Sequence, residues 1–154
     1  MGKPRVILFG ADDDWSNFSA HVIEKNDILY YTCEHLYQSE KLKFGHHKDP
    51  VRKARSPERA KKLAREIIAD DWYNKVEDWD TKKVACMERI LRLKLMQFPE
   101  LKYRLVKTGT LRLVEDSDHP FWGRGSDGNR KGKNMLGKLW MKLRRELVQR
   151  PGRL

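Results

Sequence analysis

Between Ser56 and Phe98 apolar residues return every three or four positions, and that spacing commits the middle of the chain to amphipathic helices. Ser56-Pro57-Glu58 predicts the start of one. Ser56 can cap it, Pro57 suits the first helical position, and Glu58 complements the positive end of the helix dipole. Ala60, Leu63, Ala64, Ile67 and Ile68 then predict one buried face, closed by Asp70-Asp71. After Trp72-Tyr73, Asp78 or Asp80 is expected to cap a longer helix in which Val84, Met87, Leu91, Lys94, Leu95 and Phe98 recur at helical spacing. Pro99 closes it or opens the next, which carries Leu101 and Leu105 until Gly109 stops it. Leu136, Leu139, Trp140, Leu143 and Leu147 predict a last helix over 133–148.

Strand signals are few. Val6-Ile7-Leu8-Phe9, ended by Gly10, reads as a buried strand, and Ile28-Leu29-Tyr30-Tyr31 as a second with Asn26-Asp27 as its turn. Residues 110–115 alternate through Leu111 and Leu113 and deliver Glu115 and Asp116 to the end of a third. The 154 residues contain no repeat and no composition break, and 39% of them are hydrophobic. Such a chain predicts one domain, mainly α with a few short strands, its core spanning about 5–148. Cys33 and Cys86 sit among apolar neighbours and read as small core residues, not a disulfide. No signal-peptide pattern opens the chain, and no stretch approaches the roughly 18 apolar residues of a membrane span. A cytoplasmic protein without a membrane partner is the expectation. The net charge of +11 should draw polyanions or phosphorylated ligands.

The chemistry concentrates in two stretches. In Cys33-Glu34-His35-Leu36-Tyr37-Gln38-Ser39-Glu40-Lys41, helical spacing places Glu34, Gln38 and Lys41 nearly above one another at the rim of an apolar face. That line is either a solvated face or one wall of a pocket for a polar, anionic small molecule. Trp15-Ser16-Asn17-Phe18 brackets two small polar residues with aromatics that close the core or stack on a planar base. His46-His47 follows Gly45 in a polar loop, and without a CxxC, HxxxH or HExxH pattern it predicts no metal site. The segment 118–134 holds Asp118, Phe121, Trp122, four glycines and the bases Arg124, Arg130, Lys131 and Lys133. Gly123 to Gly128 spells GxGxxG, but no helix opens directly after it, which argues against a dinucleotide fold. A loop whose glycine N–H groups grip phosphate is one reading, and a flexible surface loop the other.

Trp15-Ser16-Asn17-Phe18, the EHxxQxxK stretch from Glu34 to Lys41, Trp79, Met87, Thr108-Gly109, Leu113-Val114-Glu115, Phe121-Trp122-Gly123-Arg124-Gly125 and Gly132-Lys133-Asn134-Met135-Leu136-Gly137 follow one another in a familiar order. In that series the chain resembles the NADAR family of YbiA-like proteins over about 9–147. The resemblance implies a single, mostly helical YbiA-like domain that cleaves N-glycosidic bonds. Some members act on phosphoribosylated pyrimidine intermediates of early riboflavin synthesis; others are ADP-ribosyl hydrolases, including ones acting on guanine in DNA. The motif acid falls on Glu34, and the WGxG pair on Trp122 and Gly123. The family places an aspartate three residues before that tryptophan, where this chain has His119, so Asp118 is the candidate for the role.

Cleaving a ribosyl C1–N bond builds positive charge on the sugar, and a nearby carboxylate can stabilise that charge or activate the attacking water. The resemblance therefore implies Glu34 as the catalytic carboxylate, with Asp118 assisting. Trp122, with Trp79 or Phe18, would stack on the base; Lys41, Arg124 and Lys133 would meet phosphate. Asn17, Gln38, Gly123, Gly125 and Asn134 complete the expected substrate contacts, with no metal and no cofactor. Simpler roles stand beside these: Trp79 as a helix-start core residue, Asn134 as a helix cap, Gln38 as an orienting group for Glu34. The expected substrate is a phosphorylated ribosyl compound, such as a phosphoribosylaminouracil intermediate. ADP-ribosylated guanine in DNA is the alternative, followed by a non-catalytic ADP-ribose or NAD-binding module and a basic nucleic-acid-binding protein.

Overall fold

The computed structural model describes residues 5–126 and 131–152. By its internal contacts the chain divides into two compact units: residues 17–94, and a discontinuous one made of the segment up to Ser16 and the segment from Leu95. Helices dominate, with a few short strands, as the periodicity predicts.

The unit of residues 17–94 opens on a hairpin. Strand β1 (Ile23–Lys25) pairs antiparallel with β2 (Ile28–Tyr30). Asn26 and Asp27 both take positive φ, 53° and 63°, the pair of left-handed residues that a two-residue hairpin turn of matching twist requires. Ile23 and Tyr30 face each other and are buried, whereas Ile28, Leu29 and Tyr31 are exposed. Thr32 then accepts the His35 N–H through its side chain and starts α1 (Cys33–Glu40). Every residue of α1 from Cys33 to Ser39 is buried, because α2 (Gly45–Arg52), α3 (Pro57–Asp70) and the hairpin pack around it.

His46 and His47 stand in α2, not in a polar loop. Pro50 interrupts that helix's hydrogen bonding, and the full burial of Val51 offsets the cost. Ser56 caps α3 through the Arg59 N–H with Pro57 at its first position, as the sequence predicts. Only Ala60 and Ala64 of its apolar face are buried; Leu63, Ile67 and Ile68 pack half-exposed on the cluster of Leu42, Val51 and Ala54. Asp71 caps a 3-10 turn over Trp72–Asn74. An isolated bridge then pairs Leu42 with Lys75. Asp78 has φ 54° just before α3's successor α4 (Trp79–Gln97), so Asp80 lies inside that helix's first turn.

In the other unit β3 (Val6–Phe9) runs parallel to β4 (Arg112–Glu115), with Val6 opposite Arg112 and Phe9 opposite Glu115. The strand 6–9 exists but is not buried as expected. Only Phe9 is enclosed; Val6 and Leu8 are exposed, since a two-stranded sheet covers them on one side at most. Helices α5 (Pro99–Lys107) and α6 (Met135–Gln149) bury Leu101, Leu105, Leu136, Leu139, Trp140, Leu143 and Leu147. Trp15 closes this core: it meets Trp140 edge-on at 5.2 Å, and its carbonyl accepts the Trp140 Nε1–H at 2.9 Å. Arg144 donates to Thr108 Oγ1 and the Leu111 carbonyl, joining α6 to the end of α5 and the approach to β4. Among the described residues no helix is long and apolar enough to cross a membrane.

Candidate active site

Glu34 lies in the first turn of α1 and is 7% exposed, so it is a buried carboxylate and not the rim group that the helical spacing suggests. Its backbone N–H donates to the Asn17 carbonyl at 3.0 Å, and Gln38, one turn on, donates Nε2–H to Glu34 Oε1 at 2.7 Å. Burial pushes the Glu34 carboxyl up from its ordinary value; the Gln38 hydrogen bond and the charges of Lys61 and Lys41 pull it back, and Glu58 adds to the rise. The result is a carboxylate whose Oε1 is fixed by an amide and whose Oε2 has no hydrogen-bond partner among the described residues.

Two neighbouring amides present unused acceptors. Asn17 donates Nδ2–H to Met87 Sδ at 3.2 Å, while its buried Oδ1 has no hydrogen-bond partner; Gln38 Oε1 is likewise buried and unpartnered. Buried acceptors left unpaired cost free energy, and a ligand bearing hydroxyl or N–H groups would satisfy them.

Other residues of this unit fix the frame. His35 Nε2–H donates to the Ala54 carbonyl at 3.0 Å. Because the Ala54 carbonyl can only accept, the ring proton sits on Nε2, and Nδ1 accepts the Thr32 hydroxyl proton over 2.8 Å. Burial lowers the His35 pKa, keeping the ring neutral in that tautomer. Cys33, beside Glu34, is a free thiol that burial pushes up to about 11, so it packs and does not attack. Lys41 is half-buried; its pKa is lowered by burial first, then by Lys75, with Lys61 and Arg65 also repelling its charge and Glu34 opposing them. Trp79 is buried, tilted against Tyr37 at 5.4 Å, and lines an open groove of about 550 Å³ together with Lys43, Lys82 and Cys86. Phe18 is half-buried.

The second predicted cluster belongs to the other unit. Among the described residues of 116–134 the glycine N–H groups are already engaged. Gly123 donates to His119 O, Gly125 to Ser117 O, and Gly132 to Arg124 O at 2.8 Å. The glycines serve close backbone approach: a Cβ on Gly132 would stand 2.3 Å from Gly123 O, and one on Gly123 2.1 Å from Ser117 Oγ. This corrects the reading of these amides as phosphate-gripping donors; Gly128 and Arg130, part of the same expectation, lie outside the described residues. Gly125 also needs its φ of 82°.

Asn134 occupies the N-cap position of α6 with φ 49° but makes no side-chain cap bond. Its Oδ1 accepts the Glu115 N–H and its Nδ2 donates to the Leu113 carbonyl, both at 2.9 Å, so it stitches the loop's exit to β4. His119, where the family pattern has aspartate, accepts the Phe121 and Trp122 N–H groups at Nδ1, both at 3.1 Å. Asp118 is exposed and makes no hydrogen bond or ion pair among the described residues. Trp122 meets Phe121 edge-on at 4.8 Å, Lys133 Nζ lies 5.6 Å from the Phe121 ring centre, and Arg124 pairs with Asp116 at 2.6 Å.

The structure thus gathers Asn17, Glu34, Gln38 and Lys41 in one unit, with Phe18 and Trp79 in the same unit, and the remaining predicted residues in the other. Sequence reasoning passed over Lys61, Arg65 and Lys75. The four-residue spacing of the first two on α3 was visible, but their position beside Lys41 depends on helix packing.

The NADAR domain model matches residues 11–148. N-glycosidase YbiA of Shigella flexneri is 35% identical over 136 residues, spanning 88% of this chain and 81% of that protein. N-glycosidase Npun_R5314 of Nostoc punctiforme is 35% identical over 139 residues, 86% of this chain and 84% of that protein. The solution structure of the Escherichia coli protein YbiA superposes with a TM-score of 0.83 at 31% identity, covering all of this chain and 91% of that one. With the order of motifs, the fold and these likenesses in agreement, the chain belongs to the NADAR family of N-glycosidases.

Proposed function

We propose that this enzyme hydrolyses the ribosyl C1–N bond of a phosphorylated ribosyl compound such as a phosphoribosylaminouracil intermediate of riboflavin synthesis. The observation that carries the proposal is the buried Glu34 carboxylate, held by Gln38 beside two unpartnered amide oxygens. As the C1–N bond breaks, its electron pair leaves with the base and positive charge grows on the ribose, which the ionised carboxylate stabilises; Oε2 then takes a proton from the attacking water as the water oxygen bonds to C1, and that proton passes to the departing nitrogen. Low surrounding polarity strengthens that interaction. Asn17 Oδ1 and Gln38 Oε1 accept from sugar hydroxyls or from the amino groups of the base. The substrate class also has support in a relative's name: Riboflavin biosynthesis protein PYRR of Zea mays is 35% identical over 153 residues, 92% of this chain and 24% of that longer protein.

The test incubates the enzyme with the phosphoribosylaminouracil compound and with ADP-ribosylated guanine DNA, and follows freed sugar by mass spectrometry. Ribose 5-phosphate from the first is expected. Release of ADP-ribose from the DNA alone would move the enzyme to the alternative substrate, and no sugar from either would overturn the catalytic assignment.

The pH profile offers an independent check. With the ionised form active, kcat/KM rises with pH along a limb set by the Glu34 carboxyl, above the ordinary carboxylate range because burial raises it. Gln38→Leu removes the bond that lowers this pKa, so the limb should move further to higher pH. A limb that falls with pH in the same region would make Glu34 a proton donor instead.

A further inference from the structure

Lys41, Lys61, Arg65 and Lys75 come from three separate pieces of backbone. Lys41 directly follows α1, and the bridge between Leu42 and Lys75 sets Lys75 beside it, reinforced by the Val76 N–H to Lys41 carbonyl bond at 2.9 Å. Lys61 and Arg65 stand one turn apart on α3, which packs against α1. The charges of Lys61, Arg65 and Lys75 all act on Lys41, and those of Lys41 and Lys61 also reach Glu34. Among the described residues none of the four cations makes an ion pair. Lys62, between them on α3, instead pairs with Glu66 at 3.9 Å. Glu34, the acid that the charges of Lys41 and Lys61 reach, is buried and already bonded to Gln38. Four cations against the carboxylates of Glu34 and Glu58 leave an excess of positive charge, and a multivalent anion converts their mutual repulsion into attraction.

We infer that Lys41, Lys61, Arg65 and Lys75 form a phosphate subsite beside Glu34 that holds the phosphoryl group of the ribosyl substrate. The planar fork of Arg65 suits two phosphate oxygens at once, and the three ammonium groups supply point charges around them. Anchoring the sugar by its phosphate delivers C1 to Glu34 in a fixed orientation, so binding energy remote from the reacting bond serves catalysis. The inference rests on the proposed function for the substrate's identity, but not for the site.

Ribose 5-phosphate and ribose are the probes, titrated calorimetrically into wild type, Lys61→Gln/Arg65→Gln, Lys75→Gln and the control Lys62→Gln. Kd for ribose 5-phosphate should weaken about tenfold to a hundredfold per cation lost. The control should stay within about twofold of wild type, because Lys62 lies outside the cluster. Ribose should bind all four proteins weakly and alike. Unchanged affinity in both cation variants, equal loss in the control, or no binding to wild type would overturn the subsite. Turnover of the phosphoribosyl compound separates the two readings. Wild type that binds ribose 5-phosphate through these residues yet frees no sugar would sink the proposed reaction and leave the subsite. Equal kcat/KM in wild type and Lys61→Gln/Arg65→Gln would sink the subsite and leave the reaction.

Discussion

Replacing Glu34 with glutamine is expected to lower kcat/KM by about 10²–10⁴ and, in the same protein, to raise the melting temperature at neutral pH. The two effects share one cause. Glu34 is buried and its carboxyl is raised above its ordinary value chiefly by burial. The folded chain therefore keeps this proton to higher pH than the unfolded chain does. Stability falls as pH rises through the window between the two values, and above that window the cost of the buried charge is fully present. Glutamine removes the charge while its carbonyl can still accept the Gln38 Nε2–H bond. The gain in melting temperature should shrink as pH drops below the ordinary carboxylate range, where Glu34 is neutral in both states. Retention of activity within about tenfold would remove Glu34 from the catalytic role, and a lower melting temperature across the pH range would overturn the cost assigned to its buried charge. A rim carboxylate would have shown little of this, which is why its burial changes the forecast.

Gly137→Ala should destabilise the fold by about 2–4 kcal/mol, although alanine in a helix ordinarily gains about 1 kcal/mol over glycine. The added Cβ would lie 2.2 Å from the Leu113 carbonyl oxygen and within 2.6 Å of both polar atoms of the Asn134 side chain. Relief requires α6 to move off β4. That movement breaks the bonds from Asn134 to the Glu115 N–H and the Leu113 carbonyl, stranding buried backbone groups. Urea unfolding measures the shift in midpoint. A midpoint equal to or above wild type would mean that α6 and β4 separate without cost.

Local rules carried the fold a long way. Ser56-Pro57 announces α3 and Asn26-Asp27 the hairpin turn, because each acts through neighbours within four residues. Where the decisive partner is distant, pattern fails. α2 begins at a glycine and contains a proline, so propensity argues against it, and packing of Val51 into the core prevails. β1 is three residues long and is completed only by its pairing with β2. The helical spacing of Glu34, Gln38 and Lys41 is correct, yet a wheel cannot tell a rim from an interior when three neighbours enclose the helix. The motif series identifies the family and nominates Glu34. It cannot see that Asn134 spends its amide on β4, or that Lys61, Arg65 and Lys75 gather around Lys41.

The parallel pairing of Val6–Phe9 with Arg112–Glu115 carries a consequence for synthesis on the ribosome. Residues 17–94 form a continuous stretch with dense internal contacts and have everything needed to collapse as soon as they emerge. The first strand has no such option. It leaves the exit tunnel before its partner has been translated and waits, with apolar edges uncovered, through the whole of that intervening stretch. The partners of the Glu34 helix are thus all synthesised early, whereas the strand at the front of the chain, the loop carrying Trp122 and α6 complete their contacts only once the last segment has been made. Slow codons or chaperone contacts would matter most in that interval, when one unit is complete and the other still lacks its second half.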